Sequence, residues 1–176
     1  MEKNNKKVLH VLHSEIGGAG DVALSLCHFN TNKFHTEYFL TGPTLFFGFK
    51  KKLKILKKKF FYQKINKGQH FFKIITVLQK INLINPDVII LHNYQILACL
   101  FLKIFYKKKI IYVDHMSLIL KSYKDYFCLF LSFLFFDKVI FINKENYKKF
   151  KYIKVSKCQI IVNGVNDFFL NKKKDN

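Results

Sequence analysis

The chain contains no arginine. All 31 basic residues are lysine, set against 11 acidic ones for a formal net charge of +20. A dedicated reader of nucleic acid would be expected to use arginine for forked contacts to guanine and phosphate, so its absence counts against that class in spite of the charge. Phe, Ile, Asn and Tyr are abundant beside Lys, the bias expected of an AT-rich coding sequence. A compositional and an electrostatic origin of the charge therefore both stay open. Long apolar runs are missing too. The longest, residues 127–136, falls well short of the ~20 residues needed to span a bilayer and reads as part of a buried helix. The N-terminal lysine cluster leads only to a short apolar stretch, residues 8–12, interrupted by His10 and without a small-residue cleavage site, so it is not read as a signal peptide. Cys27, Cys99, Cys128 and Cys158 lie far apart, with none of the paired spacing of a zinc site or a redox dithiol, and read as buried thiols of a reducing cytosol.

What is present is dense and regular. Half of the residues are hydrophobic, no internal repeat or low-complexity linker interrupts them, and the length suits one domain over residues 1–170, followed by a frayed Lys-rich tail at 171–176. Short β-rich runs alternate with longer helical ones. Strands are expected at 7–13, 36–41, 60–65, 87–92, 109–114, 138–142 and 158–162, and helices at 21–29, 49–59, 69–84, 95–106, 117–136 and 144–150. Most strand candidates are continuously apolar, as strands buried on both faces are, and Pro86 forces a stop before the fourth. The pattern predicts a doubly wound α/β domain, a mainly parallel Rossmann-like sheet with helices on both faces.

In such sheets ligands bind beyond the carboxyl ends of the strands. Gly17, Gly18, Ala19 and Gly20 fall between the first strand and the first helix, where glycine allows close approach and the helix amides favour an anion such as a diphosphate. Gly18 to Ala23 also fits the Ala-ending dinucleotide fingerprint, but that chemistry wants an acidic residue closing the second strand, and Glu37 begins it instead. A glycine turn serving only helix packing is the plain alternative. His92 and Asn93 follow the fourth strand and His115 follows the fifth, so both imidazoles should reach the glycine-loop edge, where they could bond a sugar hydroxyl or a phosphate. His10 and His13, in and at the end of the first strand, read as structural.

Taken in order, 7–12, Gly17-Gly18-Ala19, Pro86 to Asn93, Ile111 to His115, Asp137 to Asn143 and Ile161-Val162-Asn163-Gly164-Val165-Asn166 resemble the landmarks of the N-terminal domain of GT-B glycosyltransferases of family 4. The resemblance covers nearly the whole chain, although each landmark alone is short. It departs from the usual pattern at Gly20, Asn143 and Asn166. It implies one half of a GT-B fold, the half that binds the acceptor, with a nucleoside-diphosphate sugar as co-substrate, no other cofactor and no metal. By that analogy His115 is catalytic, Gly17 and Gly18 approach the donor diphosphate, and His92 and Asn93 lie nearer a glycan or lipid-linked acceptor. The expected class is a retaining hexosyltransferase. Because ten residues follow Asn166, a C-terminal donor domain is expected to act in trans and residues 1–176 alone are expected to be inactive. A non-catalytic binding module of the same fold, a nicotinamide-dependent oxidoreductase fragment and a Lys-rich nucleic-acid binder are the rivals.

Phe49, Leu53, Leu56 and Phe60 recur on one helical face, with Lys50, Lys51, Lys52, Lys54, Lys57, Lys58 and Lys59 around the remainder. Such a basic amphipathic helix suits the anionic surface of the cytoplasmic membrane, where Lys50, Lys51, Lys54, Lys57 and Lys58 would lie. A stripe packed on the sheet beneath a solvated lysine face is the competing reading, and Ile55, Phe46 and Phe47 would make the two compatible.

Overall fold

The computed structural model describes residues 6–14, 18–26, 34–66, 69, 72–92, 95–153 and 155–161. Its strands are β1 (Lys6–His13), β2 (Phe34–Gly42), β3 (Lys59–Lys64), β4 (Val88–His92), β5 (Lys109–Asp114), β6 (Lys138–Phe141) and β7 (Cys158–Ile160). Between them lie α1 (Gly18–Leu26), α2 (Phe47–Ile55), α3 (Ile74–Ile84), α4 (Ile96–Tyr106), α5 (Tyr123–Phe135) and α6 (Lys144–Phe150). All pairings are parallel and the strand order is β3-β2-β1-β4-β5-β6-β7. This is the doubly wound sheet expected. The order reverses between β1 and β4, and a doubly wound sheet opens its ligand crevice beside such a reversal.

Alternation along the strands divides the interior into two layers. Leu9, Val11, Phe39, Ile89 and Leu91 face α3, α4, α5 and α6, where Val77, Ile81, Cys99, Leu102 and Phe133 close the larger core. Leu12, Tyr38 and Leu40 point the other way and meet Ala23 and Leu24 of α1 and Phe49 and Leu53 of α2. Truncating one of the buried aliphatic side chains, such as Ile81, to Ala would cost about 2–5 kcal/mol. At the amino edge, Asn85 takes a left-handed backbone with φ 48° and ends α3. Asp87 then accepts from Lys7 N–H at 2.7 Å and donates its own N–H to Lys7 O at 2.9 Å, which ties the entry of β4 to β1.

Four helices differ from expectation: α1 opens at Gly18 and not at residue 21, α3 opens at Ile74 and not at residue 69, and two more differ for a local reason. The basic helix stops at Ile55 and not at residue 59, because Lys57 turns left-handed at φ 50°. Lys57 N–H then reaches Lys54 O and Lys58 N–H reaches Leu53 O, the paired closure of a Schellman end, and Lys59 already starts β3. Lys57 and Lys58 therefore lie outside the helix, and Phe60 belongs to a strand. The helix expected over 117–136 is a 3-10 turn, Leu118–Leu120, followed by α5. Ser122 and Asp125 form a reciprocal capping box that fixes where α5 begins.

Candidate active site

Three histidines form a row across the switch point. In the register, His10 of β1 is opposite Ile90, two residues before His92, and His92 of β4 is opposite Val113, two residues before His115. Each step to the next strand thus advances two residues toward the carboxyl edge, which keeps all three positions on one face of a period-two sheet. The rings meet end to end. His10 Nδ1 lies 2.9 Å from His92 Nε2, and His92 Nδ1 lies 2.8 Å from His115 Nε2. The ring centroids are 5.2 and 5.0 Å apart with interplanar angles of 20° and 33°. Each centroid separation exceeds its nitrogen–nitrogen distance by about the width of one imidazole. The contacts therefore run close to the ring planes, as hydrogen bonds to ring nitrogens should.

Burial makes this row uncharged. Removal from water pushes His10 down to about 3, helped by the Lys58 ammonium. It holds His92 well below the ordinary value, with the flanking His10 and His115 adding to the effect, and brings His115 to about 4. At neutral pH all three are therefore neutral imidazoles. Tyr38 stacks on the inner face of His10 at 5.3 Å and donates its hydroxyl to Ala23 O. His92 is buried and uses both ring nitrogens on its neighbours, so any influence it has on a bound acceptor passes through His115. Among the described residues no group of His, Cys, Asp and Glu is arranged to hold a metal ion.

The opposite side of the β5 terminus is built from charge. The Lys121 Nζ lies 2.5 Å from Asp114 Oδ1, both side chains being 1% exposed, and Asn146 donates to the second carboxylate oxygen at 2.8 Å. Asn146 also bonds Met116 O, so the cluster clamps the segment that carries His115. Neither Lys121 nor Asn146 stands out in the sequence; the legible signal was the Ser122–Asp125 box, which moves Lys121 out of the helix and into the loop.

Gly18 opens α1 with open space around the position a Cβ would occupy, as a ligand-facing residue needs. Gly20 is different: its Cβ would stand 3.2 Å from the Phe49 ring, so here glycine serves the contact between α1 and α2. After β1, Ser14 is buried, donates its hydroxyl to Thr44 O and its backbone N–H to Thr41 O, which ties the loop after β1 to the end of β2. β2 closes on Gly42, and Glu37 lies buried in mid-strand beside His35 and Lys59, so no acidic side chain ends the second strand. His13 packs against Gly42. Gly17, Asn93, Tyr94, Cys27, the Asn163–Asn166 segment and the tail lie outside the described residues.

Phe49 and Leu53, half of the stripe expected on the basic helix, are fully buried in the core. Phe47 and Ile55 remain exposed, at 76% and 68%, with Phe46 at 48%. Lys50, Lys51 and Lys54 stand on α2, and Lys57 and Lys58 on the turn after it. Lys52 pairs with Asp21 of α1 at 2.8 Å. No helix among the described residues is long and apolar enough to cross a membrane.

No family model matches the chain, and no curated protein sequence does. Solved structures do. HepE of Anabaena in complex with UDP-glucose is 14% identical, with a TM-score of 0.70 over 91% of this chain and 44% of its own. The lipopolysaccharide outer core galactosyltransferase WaaB, in its apo form, is 18% identical, with a TM-score of 0.71 over 91% of this chain and 46% of its own. A UDP-N-acetylglucosamine 2-epimerase of Neisseria meningitidis bound to UDP-GlcNAc is 14% identical, with a TM-score of 0.64 over 90% and 46%. The chain spans under half the length of these proteins, and the seven-stranded parallel sheet and six α-helices of its described residues match one half of the two-domain GT-B fold.

Proposed function

We propose that this chain is the acceptor-side domain of a family 4-like glycosyltransferase, taking part in transfer of a sugar from a nucleoside-diphosphate sugar to a glycan or lipid-linked acceptor, with the donor held by a second domain. The observation that carries the reading is a neutral His115 just past β5 at the carboxyl edge of the sheet, the same edge at which the open Gly18 end of α1 follows β1. A neutral imidazole can accept a hydroxyl proton or donate to a phosphate oxygen near pH 7, and the first amides of a helix favour the negative charge that gathers on a leaving diphosphate. The likeness to HepE and WaaB supports the same class. The domain works at the cytoplasmic face of the membrane in assembly of a cell-surface glycan. Lys50, Lys51, Lys54, Lys57 and Lys58 face the anionic lipid there, and Phe47 and Ile55 enter its surface.

Proximity of donor and acceptor is the main catalytic resource of such an enzyme, so residues 1–176 alone should transfer no sugar. Fusing a C-terminal donor domain of a related glycosyltransferase should give transfer to a lipid-linked acceptor. In that fusion His115→Ala should lower kcat by roughly 100-fold or more, the range for loss of an acid–base group, while the fusion remains folded. Equal turnover of the two proteins would remove His115 from the site. An inactive but folded fusion that still binds acceptor would make the chain a binding module.

A further inference from the structure

The histidine row obeys a proton count. Three neutral imidazoles carry three ring N–H groups, and each of the two inter-ring hydrogen bonds uses one of them with one bare nitrogen opposite. If His10 donates from Nδ1 to His92 Nε2, then His92 has only Nδ1 left to protonate in its bond to His115 Nε2. A neutral His92 that accepts at Nε2 donates from Nδ1, and His115, accepting at Nε2, must then carry its own proton at Nδ1. The reverse polarity places every proton on Nε2. A neutral row therefore has two arrangements, all Nδ1–H or all Nε2–H, and a mixed set would bring two N–H groups or two lone pairs face to face at 2.8 to 2.9 Å.

We infer that His10, His92 and His115 act as one tautomeric unit, in which His10 is a positioning residue that decides whether His115 presents a donor or an acceptor at its outer nitrogen, Nδ1. In the all-Nδ1–H arrangement the far nitrogen of His115, a buried atom, is a donor of the kind that suits a phosphate oxygen. In the all-Nε2–H arrangement it offers a lone pair and suits a hydroxyl. The two arrangements differ by one proton shifted within each inter-ring bond, with the end proton on His115 Nδ1 in one and on His10 Nε2 in the other, so the row is neutral in both. The inner end is held in place by Tyr38, which packs on His10, and by the β1–β4 pairing that sets its distance from His92. His10, which the sequence places inside a strand as a packing residue, thereby acquires a role at the edge.

The role of the outer nitrogen in sugar transfer rests on the function proposed above; the coupling of the three rings does not. Long-range proton–nitrogen correlation spectra of the 15N-histidine-labelled 176-residue chain at pH 7 report which ring nitrogen of each histidine is protonated. The expected result is the same position in all three rings. His10→Phe, close in shape but without ring nitrogens, should release the constraint at the inner end and move His115 to a changed tautomer ratio while its fold is retained. Different tautomers among the three rings of the unsubstituted chain, or an unmoved His115 in folded His10→Phe, would overturn the inference. Should His10→Phe fail to fold, the unsubstituted spectrum still decides. Concerted tautomers in a chain whose donor-domain fusion transfers no sugar would leave the unit standing and sink the transferase.

Discussion

Asp114 and His115 are adjacent, equally close to the carboxyl edge, and treated in opposite ways. Asp114 keeps its partner close: an ammonium and an amide both bind the carboxylate, and the pair is withdrawn from water. His115 joins a row that burial keeps uncharged. An imidazole loses its charge near neutral pH for a modest free energy, whereas a carboxylate taken out of water must be compensated. The charged side can serve as a clamp because it is fixed. The neutral side can exchange protons because nothing holds its charge.

The largest effect should come from breaking the clamp. Lys121→Met leaves Asp114 buried without its cation, which should destabilise the domain by about 3–5 kcal/mol in denaturant titration. Adding Asp114→Asn should recover most of that loss, since a neutral amide tolerates the apolar neighbour. A single variant as stable as the parent would show that the two sides differ less than their geometry implies.

Acid should act on the neutral side first. The folded row binds protons less readily than the unfolded chain, whose histidines titrate near 6.5, so the unfolded state holds more protons below that value and stability rises with pH there. Stability should therefore be complete above about 6.5 and fall as pH drops toward the folded value of His115, about 4. Thermal midpoints across that window measure the slope, and His10→Phe should flatten it. A slope of the same size in that variant would detach the acid response from the row.

Smaller still is the change expected at Gly18. With open space for a Cβ, Gly18→Ala should raise stability by about 0.4–1 kcal/mol through the unfolded chain, yet weaken binding of a nucleotide sugar to the fused enzyme, read by titration calorimetry. Tighter binding would take the residue off the donor path. Replacing Lys50, Lys51, Lys57 and Lys58 by Gln should change stability by less than about 0.5 kcal/mol. It should nonetheless reduce co-sedimentation with anionic vesicles at low salt, and unchanged sedimentation would remove the membrane contact.

Strand positions were legible because the sheet is buried on both faces and its strands are written as apolar runs. That placed His92 and His115 at one edge correctly. His10 was read as structural and is buried, but its partner was hidden for lack of register: nothing local says that its ring lies diagonal to His92, a relation that exists only once β1 and β4 pair. The basic helix shows a similar limit. Its 3.6-residue period identified an apolar face, but Phe49 and Leu53 face the sheet, and the period does not say which neighbour covers them. The left-handed end at Lys57 was invisible because glycine, the usual marker of such an end, is replaced by lysine.

The seam between β1 and β4 also has a consequence for folding order. Its latch, Lys7 with Asp87, joins residues 80 apart, and His10 meets His92 across 82, whereas His92 and His115 are 23 apart. The length-dependent entropy of closing an 80-residue loop is about 4 kcal/mol, met before the pairing returns any contact. Non-local parallel pairing of this kind is slow. β4 and β5 can therefore associate, and His92 can find His115, before β1 arrives. The first ring of the row is the last to join it, so a complete row marks a sheet whose central seam has already closed.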